Sequence, residues 1–484
     1  MMAPGPASFS SWLARNGEGL DVYVAAAVHA FVDAAWRTRL EAIIFATARD
    51  RLRWAGEPFT PPAILASLAR FDDARLNRRL ARHERTPADV LEHIRGTASA
   101  VEDLAILAAL AGHRNASAGL LRSLPWREAP AIREGLAGNA ACPKDLLTEI
   151  FPLATLGERK LMAANPAVDA ALLRTLWDAS AGDCYLQGEI VANPSCPPEL
   201  HDAARLSPAI IVRRKLAENP NVRTPDLIAL LADPVSEVRA AAARSAPSSA
   251  IDGPDCEPAA SVRRMKARRH DLPAALIERL ARDEDSWVRR WLARNPSVGI
   301  DSLARLSRDP EHEVRRGVAR NPNCPKDLLA ALARDDHPWV RAGVSFRTDI
   351  DAEMITLFEH EENIDVLSGL GRNPVTPHAW LERIAESSNV DLRRSVILNA
   401  HAPSDLLLRL AEDPYVFNRV CLLRNPSLPA NALYDFLSDP EPQVRFTAAV
   451  RLAREELVDA GTQASTRANT TSPSLQPPLK SVGI

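Results

Sequence analysis

The chain has 484 residues, 46% of them hydrophobic, with a formal net charge of -3 and an isoelectric point near 6.4. That hydrophobic share suits a folded protein, and the near-neutral balance excludes a global attraction to nucleic acid or anionic lipid. Aromatic residues make up only 5%, which fits a thin core of Leu, Val and Ala.

At the N-terminus, MMAPGPASFSSWLARNGEGL lacks the basic and then apolar regions of a signal peptide. The stretch from Val22 to Trp36 is interrupted by His29 and Asp33 and is too short to span a bilayer. No membrane partner is expected. Leu20 to Leu52 read as one or two amphipathic helices, and residues 1–56 as an N-terminal helical cap. Residues 57–138 hold degenerate repeats, with starts near Glu57, at His83-Glu84 and at Asn115-Ala116.

From 139 to 458 the repeat is regular. Asn-Pro stands at Asn165, Asn193, Asn219, Asn295, Asn321, Asn373 and Asn425, and degenerate versions begin at Asn139, Ser245, Arg269, Arg347 and Asn399. Successive spacings are 26, 28, 26, 26, 24 and 26, then five more of 26. A period of this size marks a solenoid, in which each unit buries its apolar face only against its neighbours. In the unit from Asn321 to Phe346 the apolar positions are Leu329, Leu332, Val340 and Val344. The flanking units give Leu303, Leu306, Val314 and Val318, and Ile355, Phe358, Val366 and Leu370. Steps of three and four are one face of a helix. Each unit is therefore predicted to be two short helices joined by a polar turn such as Asp335-Asp336-His337-Pro338.

Pro325 is expected in the first turn of the first helix, where its missing N–H costs nothing. Asn before Pro is held out of the helical region, and its side chain can satisfy free backbone groups of the turn. Helices this short depend on stacking. Residues 459–484, rich in Ser, Thr and Pro, are expected to be disordered.

An Asp is followed six residues later by Arg in Asp233/Arg239, Asp283/Arg289, Asp309/Arg315, Asp335/Arg341, Asp413/Arg419 and Asp439/Arg445. Repeated on many layers, this reads as a structural ladder in which each Asp can meet Arg of its own and the next unit. The combination N-P-x-C-P-x-x-L-L-x-x-L-x-x-D-x-x-x-x-V-R-x-x-V-A-x resembles the leucine-rich repeat variant family, related in architecture to HEAT-like repeats. The match covers roughly Ala131 to Leu457, and more weakly from Glu57. The resemblance implies a right-handed superhelix with an α-helix and a shorter helix per unit, either α or 3₁₀. Some family members carry an iron–sulfur cluster on an N-terminal cysteine group; this chain has no Cys before Cys142, so no cofactor is carried over.

The remaining cysteines are Cys184, Cys196, Cys256, Cys324 and Cys421, with no C-x-x-C pair. Cys142, Cys196 and Cys324 share one repeat position with Val168 and Val298, and so read as small core residues. The histidines, among them His83, His113, His312 and His337, form no H-x-x-x-H arrangement and are not expected to cluster. No metal site, phosphate loop or catalytic signature is found.

One constellation departs from uniformity. Residues five and one before the Asn position lie four apart on one helix face. In three consecutive units both are Arg: Arg264/Arg268, Arg290/Arg294 and Arg316/Arg320. Ten basic residues stand against five acidic ones between Val262 and Pro296, with Trp287, Trp291 and Trp339 nearby. Such a patch could bind anions or stack on a partner. The plainer alternative is a solvated Arg face neutralised by acidic turns, with the Trp side chains filling the core. Of 59 basic residues only six are Lys, a usage that also fits a GC-rich bacterial genome.

The reading is an all-α, right-handed α-solenoid of about 12–14 two-helix repeats. It is a non-enzymatic cytoplasmic scaffold that binds another macromolecule, foremost a protein, on its extended surface. Nucleic-acid binding through residues 264–320 is the alternative. An enzyme of the HEAT-like DNA glycosylase type rests on fold analogy alone.

Overall fold

The regular units are helix pairs because the apolar period returns twice per unit and a polar turn breaks it between. In a computed structural model, which describes residues 9–16, 19–97, 103–251 and 257–455, the unit from Asn321 contains Lys326–Leu332 and Pro338–Ser345. Leu329, Leu332, Val340 and Val344 are all buried, as are their counterparts in the flanking units. Pro325 stands at the N-cap of the first helix, one residue before the position expected for it, with extended backbone. Pro338 occupies the first turn of the second helix, where its ring is pre-organised and no hydrogen bond is lost.

The second helices form a continuous layer. Ser286–Ala293 packs on His312–Ala319, this on Pro338–Ser345, and this on Ile364–Arg372. Small residues set the spacing. A Cβ added to Gly369 would lie 2.9 Å from the backbone carbon of Ser345, and one added to Gly135 would lie 2.9 Å from the Gly112 nitrogen. Both fall inside van der Waals contact with main chain that cannot rotate away. The second helices of the regular units, whose type the sequence left open between α and 3₁₀, are α-helical. The described 3₁₀ segments, Phe151–Leu153, Leu410–Glu412 and Ala430–Ser438, fall at or just after first-helix positions instead. The architecture is an all-helical α-solenoid.

The chain divides into two compact units, Leu52–His401 and Met1–Arg51 with Ala402–Ile484. Within the second of these, the N-terminal helices meet the last repeats. Phe9 and Tyr434 place their rings 6.4 Å apart, and Arg445 bonds to Asp21 at 3.0 Å across 424 residues of sequence. Asp21 caps Val22–Val28, accepting from the Tyr23 and Val24 amides, as a carboxylate at a helix start is suited to do. The tail expected to be disordered, 459–484, lies outside the described residues.

Candidate functional site

The Asn of each unit is buried and bridges layers. Asn321 Nδ2 donates to the Ala293 and Asn295 carbonyls, both at 2.8 Å, and its Oδ1 accepts from the Asn323 amide at 2.9 Å. Ala293 ends the second helix of the unit that begins at Arg269, so the side chain satisfies carbonyls that the helix itself leaves free. Asn165, Asn193, Asn219, Asn373 and Asn399 repeat the arrangement.

Four units without Asn keep the chemistry. Arg347 Nη1 donates to Ala319 and Asn321 carbonyls while its other nitrogens hold Asp349; Arg269 does the same with Ala243, Arg244 and Asp271. His83 reaches the Glu57 carbonyl through Nε2, and its Nδ1 accepts from the Arg85 amide. His113 repeats this toward the His83 carbonyl and the Asn115 amide. The repeat start is therefore His113, two residues before the Asn115 read from sequence, because an imidazole stands in for the amide.

The ladder runs one way. Arg315 places Nε 2.7 Å and Nη2 2.9 Å from the two oxygens of Asp335 in the next unit. Toward its own unit it donates Nη1 to the main-chain carbonyls of Asp309 and Pro310. The carboxylate six residues upstream is thus not its partner; that carboxylate belongs to the preceding Arg, 20 residues earlier. Arg289–Asp309 and Arg419–Asp439 follow the same rule. Four rungs were not anticipated: Arg213–Asp233, Arg239–Glu257, Arg263–Asp283 and Arg341–Glu361. Two use Glu, which a search for Asp misses; Arg213 and Arg263 lack the Asp six residues before them. Asp413 accepts from Asn418 and Tyr415. Asp283 also caps the Asp285 amide. Burial works to raise the carboxyls of Asp335, Asp233, Glu257 and Glu361, but the arginine hydrogen bonds and charge outweigh it and hold all four below their ordinary range.

The basic excess around Val262 to Pro296 therefore splits by role. Arg263 and Arg289 belong to rungs, and Arg269 replaces an Asn. Lys266, Arg279 and Arg282 line an open groove of about 620 Å³ together with Asp283 and Glu284. What remains is a strip on the second-helix layer.

Along this strip the contacts form a chain. Arg290 lies 4.7 Å over the Trp287 ring and 3.1 Å from Glu313; Arg316 lies 3.7 Å from Glu313 and 5.6 Å over Trp339. Trp339 Nε1 donates to Asp365 at 3.0 Å. Arg264 pairs with Asp285 at 2.5 Å, and Arg268 stacks on Trp291 at 3.7 Å. Trp287 is 48% and Trp339 42% exposed, so neither fills the core; Trp291 is half-buried beneath Arg268. His312 and His337 stack at 3.8 Å beside Trp339. This corrects the expectation of dispersed histidines: consecutive inter-helix turns bring them together.

Arg294 and Arg320 stand apart. Neither side chain has a hydrogen bond or ion pair among the described residues. Loss of water, then the charges of Arg290 and Arg316, push the Arg294 guanidinium below its ordinary value; loss of water, then Arg316 and Arg294, do the same at Arg320.

Cys142, Cys196 and Cys324 are buried, and burial pushes their thiols up to about 12, 12 and 11, which makes them poor nucleophiles. Cys256 lies outside the described residues. Among those described, no group of three or more His, Cys, Asp or Glu is placed to hold a metal ion. No described helix is long and apolar enough to cross a membrane.

The family model for "leucine rich repeat variant" matches residues 312–337, from the second helix of one unit through the first helix of the next. That stretch is similar to a leucine rich repeat variant repeat. A solved structure described as "a leucine-rich repeat variant with a novel repetitive protein structural motif" is 25% identical, over 51% of this chain and 88% of that one, with a TM-score of 0.30. No curated protein matches the chain.

Proposed function

We propose that the chain is a non-enzymatic cytoplasmic scaffold that binds a partner protein on its second-helix layer, between residues 264 and 346. The observation that carries this reading is the pair of exposed tryptophans, Trp287 and Trp339, each with an arginine over its ring. Stacking of the repeats draws mainly on the buried Leu and Val positions, the Asn bridges and the Arg rungs, none of which uses these two rings. Trp and Arg dominate the energetics of protein interfaces, where a few such anchors supply most of the affinity. An aromatic ring pinned by its own guanidinium also loses little conformational freedom on binding.

Affinity capture from a lysate, with and without nuclease, tests the reading. The expected result is a protein retained through nuclease treatment and lost, by about 2 kcal/mol or more of affinity, from Trp287→Ala/Trp339→Ala. Capture that disappears with nuclease, or that the double variant leaves unchanged, contradicts it.

A further inference from the structure

We propose that the strip reads an acidic segment of its partner, with Arg294 and Arg320 receiving carboxylates beside the Trp287–Arg290–Glu313–Arg316–Trp339 chain of contacts. This rests on the protein-partner reading above and names the chemistry of the segment that docks.

The six arginines of the strip are not equivalent. Arg264 is engaged by Asp285, Arg290 and Arg316 share Glu313, and Arg268 is held on Trp291. Among the described residues, Arg294 and Arg320 alone of the six have no partner, yet Arg294 sits close enough to Arg290 and Arg316, and Arg320 to Arg316 and Arg294, to disfavour their charge. Arg294 Nε and Arg316 Nε are moreover buried without a hydrogen-bond acceptor, as is His312 Nε2 nearby. Four guanidinium groups thus gather around the single carboxylate of Glu313. Donors left unmatched where water is excluded, as at the Arg294 and Arg316 Nε atoms, are costly; Arg320 is exposed, and a planar acceptor with two oxygens fits either guanidinium fork bidentately.

Charge complementarity selects an acidic occupant, and two features select peptide over nucleic acid. Single-strand binders offer free aromatic faces for base stacking along an unbroken basic groove. Here the rings of Trp287, Trp291 and Trp339 each carry an arginine. The strip is also interrupted by Asp285, Glu313 and Asp365, on three separate layers. Embedded acids repel a continuous polyphosphate, whereas a peptide can place discrete carboxylates at the free forks and neutral residues opposite the acids.

Fluorescence anisotropy on the full chain tests this with three labelled probes: an Asp/Glu-rich peptide, its Asn/Gln counterpart, and oligo-dT. The acidic peptide is expected to bind with a salt-dependent affinity that falls about tenfold or more in Arg294→Ala/Arg320→Ala. The Asn/Gln peptide should bind at least tenfold more weakly than the acidic one. The melting temperature of the variant reports that it is folded. Equal affinity of the variant for the acidic peptide, or no binding to the wild type, overturns the inference. Oligo-dT binding tighter than the peptide and lost in the variant overturns it too, and with it the protein-partner reading. If the peptide fails while nuclease-resistant capture still depends on Trp287 and Trp339, only the acidic chemistry is wrong and the scaffold reading stands.

Discussion

Asn321→Ala is expected to destabilise the stack locally by about 3–5 kcal/mol, because it strands three main-chain groups at once. The Ala293 and Asn295 carbonyls lose their donor and the Asn323 amide loses its acceptor. All three sit at a fully buried side chain, where water cannot replace the lost partner. The chain itself supplies the rescue. Asn321→Arg combined with Asn323→Asp copies Arg347/Asp349 and Arg269/Asp271, which make the equivalent bonds at their own layers. The double variant should recover most of the loss, and Asn321→Arg alone less, since the second half of the guanidinium would lack its carboxylate. Hydrogen exchange across residues 293–323, followed in urea, reads this directly, because repeat arrays open locally before they unfold as a whole.

Arg315→Ala is expected to cost about 3 kcal/mol. It leaves Asp335 as an uncompensated carboxylate with only 10% of its side chain exposed, and frees the carbonyls of Asp309 and Pro310. Arg315→Lys should recover little, since an ammonium cannot bind two carboxylate oxygens and two carbonyls in one plane. The rungs also predict an acid limb. Asp335 titrates below its unfolded value of 3.8 and Glu361 below 4.5. A depressed carboxyl contributes stability that is fully present above the unfolded value and is lost as the pH falls through the folded one. Urea midpoints of the wild type should therefore be level above about pH 5 and fall below it. Arg315→Ala, having lost one rung, should start lower and fall less steeply. A variant as stable as wild type at neutral pH, or a parallel acid limb, contradicts the rung.

The helix pairs and their core were legible because burial obeys a strict period: Leu329, Leu332, Val340 and Val344 could be placed from spacing alone. The layer-to-layer chemistry was not. The Asn side chain bonds to main-chain carbonyls 26 and 28 residues upstream, and carbonyls have no residue type to read. The ladder misled by proximity, since the Asp six residues before each Arg offers its backbone while the carboxylate comes from 20 residues later. Imidazole at His83 and His113 hid the bridge under another residue type. The contact of Asp21 with Arg445 has no sequence signature, because nothing in a period relates positions 424 residues apart.

The strip itself was legible as spacing, yet its internal division was not. Sequence places Arg264, Arg268, Arg290, Arg294, Arg316 and Arg320 on one face. Only the positions of Asp285, Glu313, Trp287 and Trp291 decide which guanidinium groups are engaged and which are free. Trp287 and Trp339 precede the buried Val288 and Val340 by one residue, a helical step that turns them off the core face. That signal was available in the sequence.

The central claim is that stacking and recognition use different arginines: those on rungs hold the repeats together, whereas Arg294 and Arg320 have no partner among the described residues and are proposed to receive a ligand. Thermal melting of Arg294→Ala/Arg320→Ala beside Arg315→Ala tests it most directly. Functional sites hold groups that do not favour stability, so the strip variant should melt at or above the wild-type temperature as like charges are removed. The rung variant should melt well below it. A fall in the strip variant as large as that of Arg315→Ala would make Arg294 and Arg320 structural, and the account would be wrong.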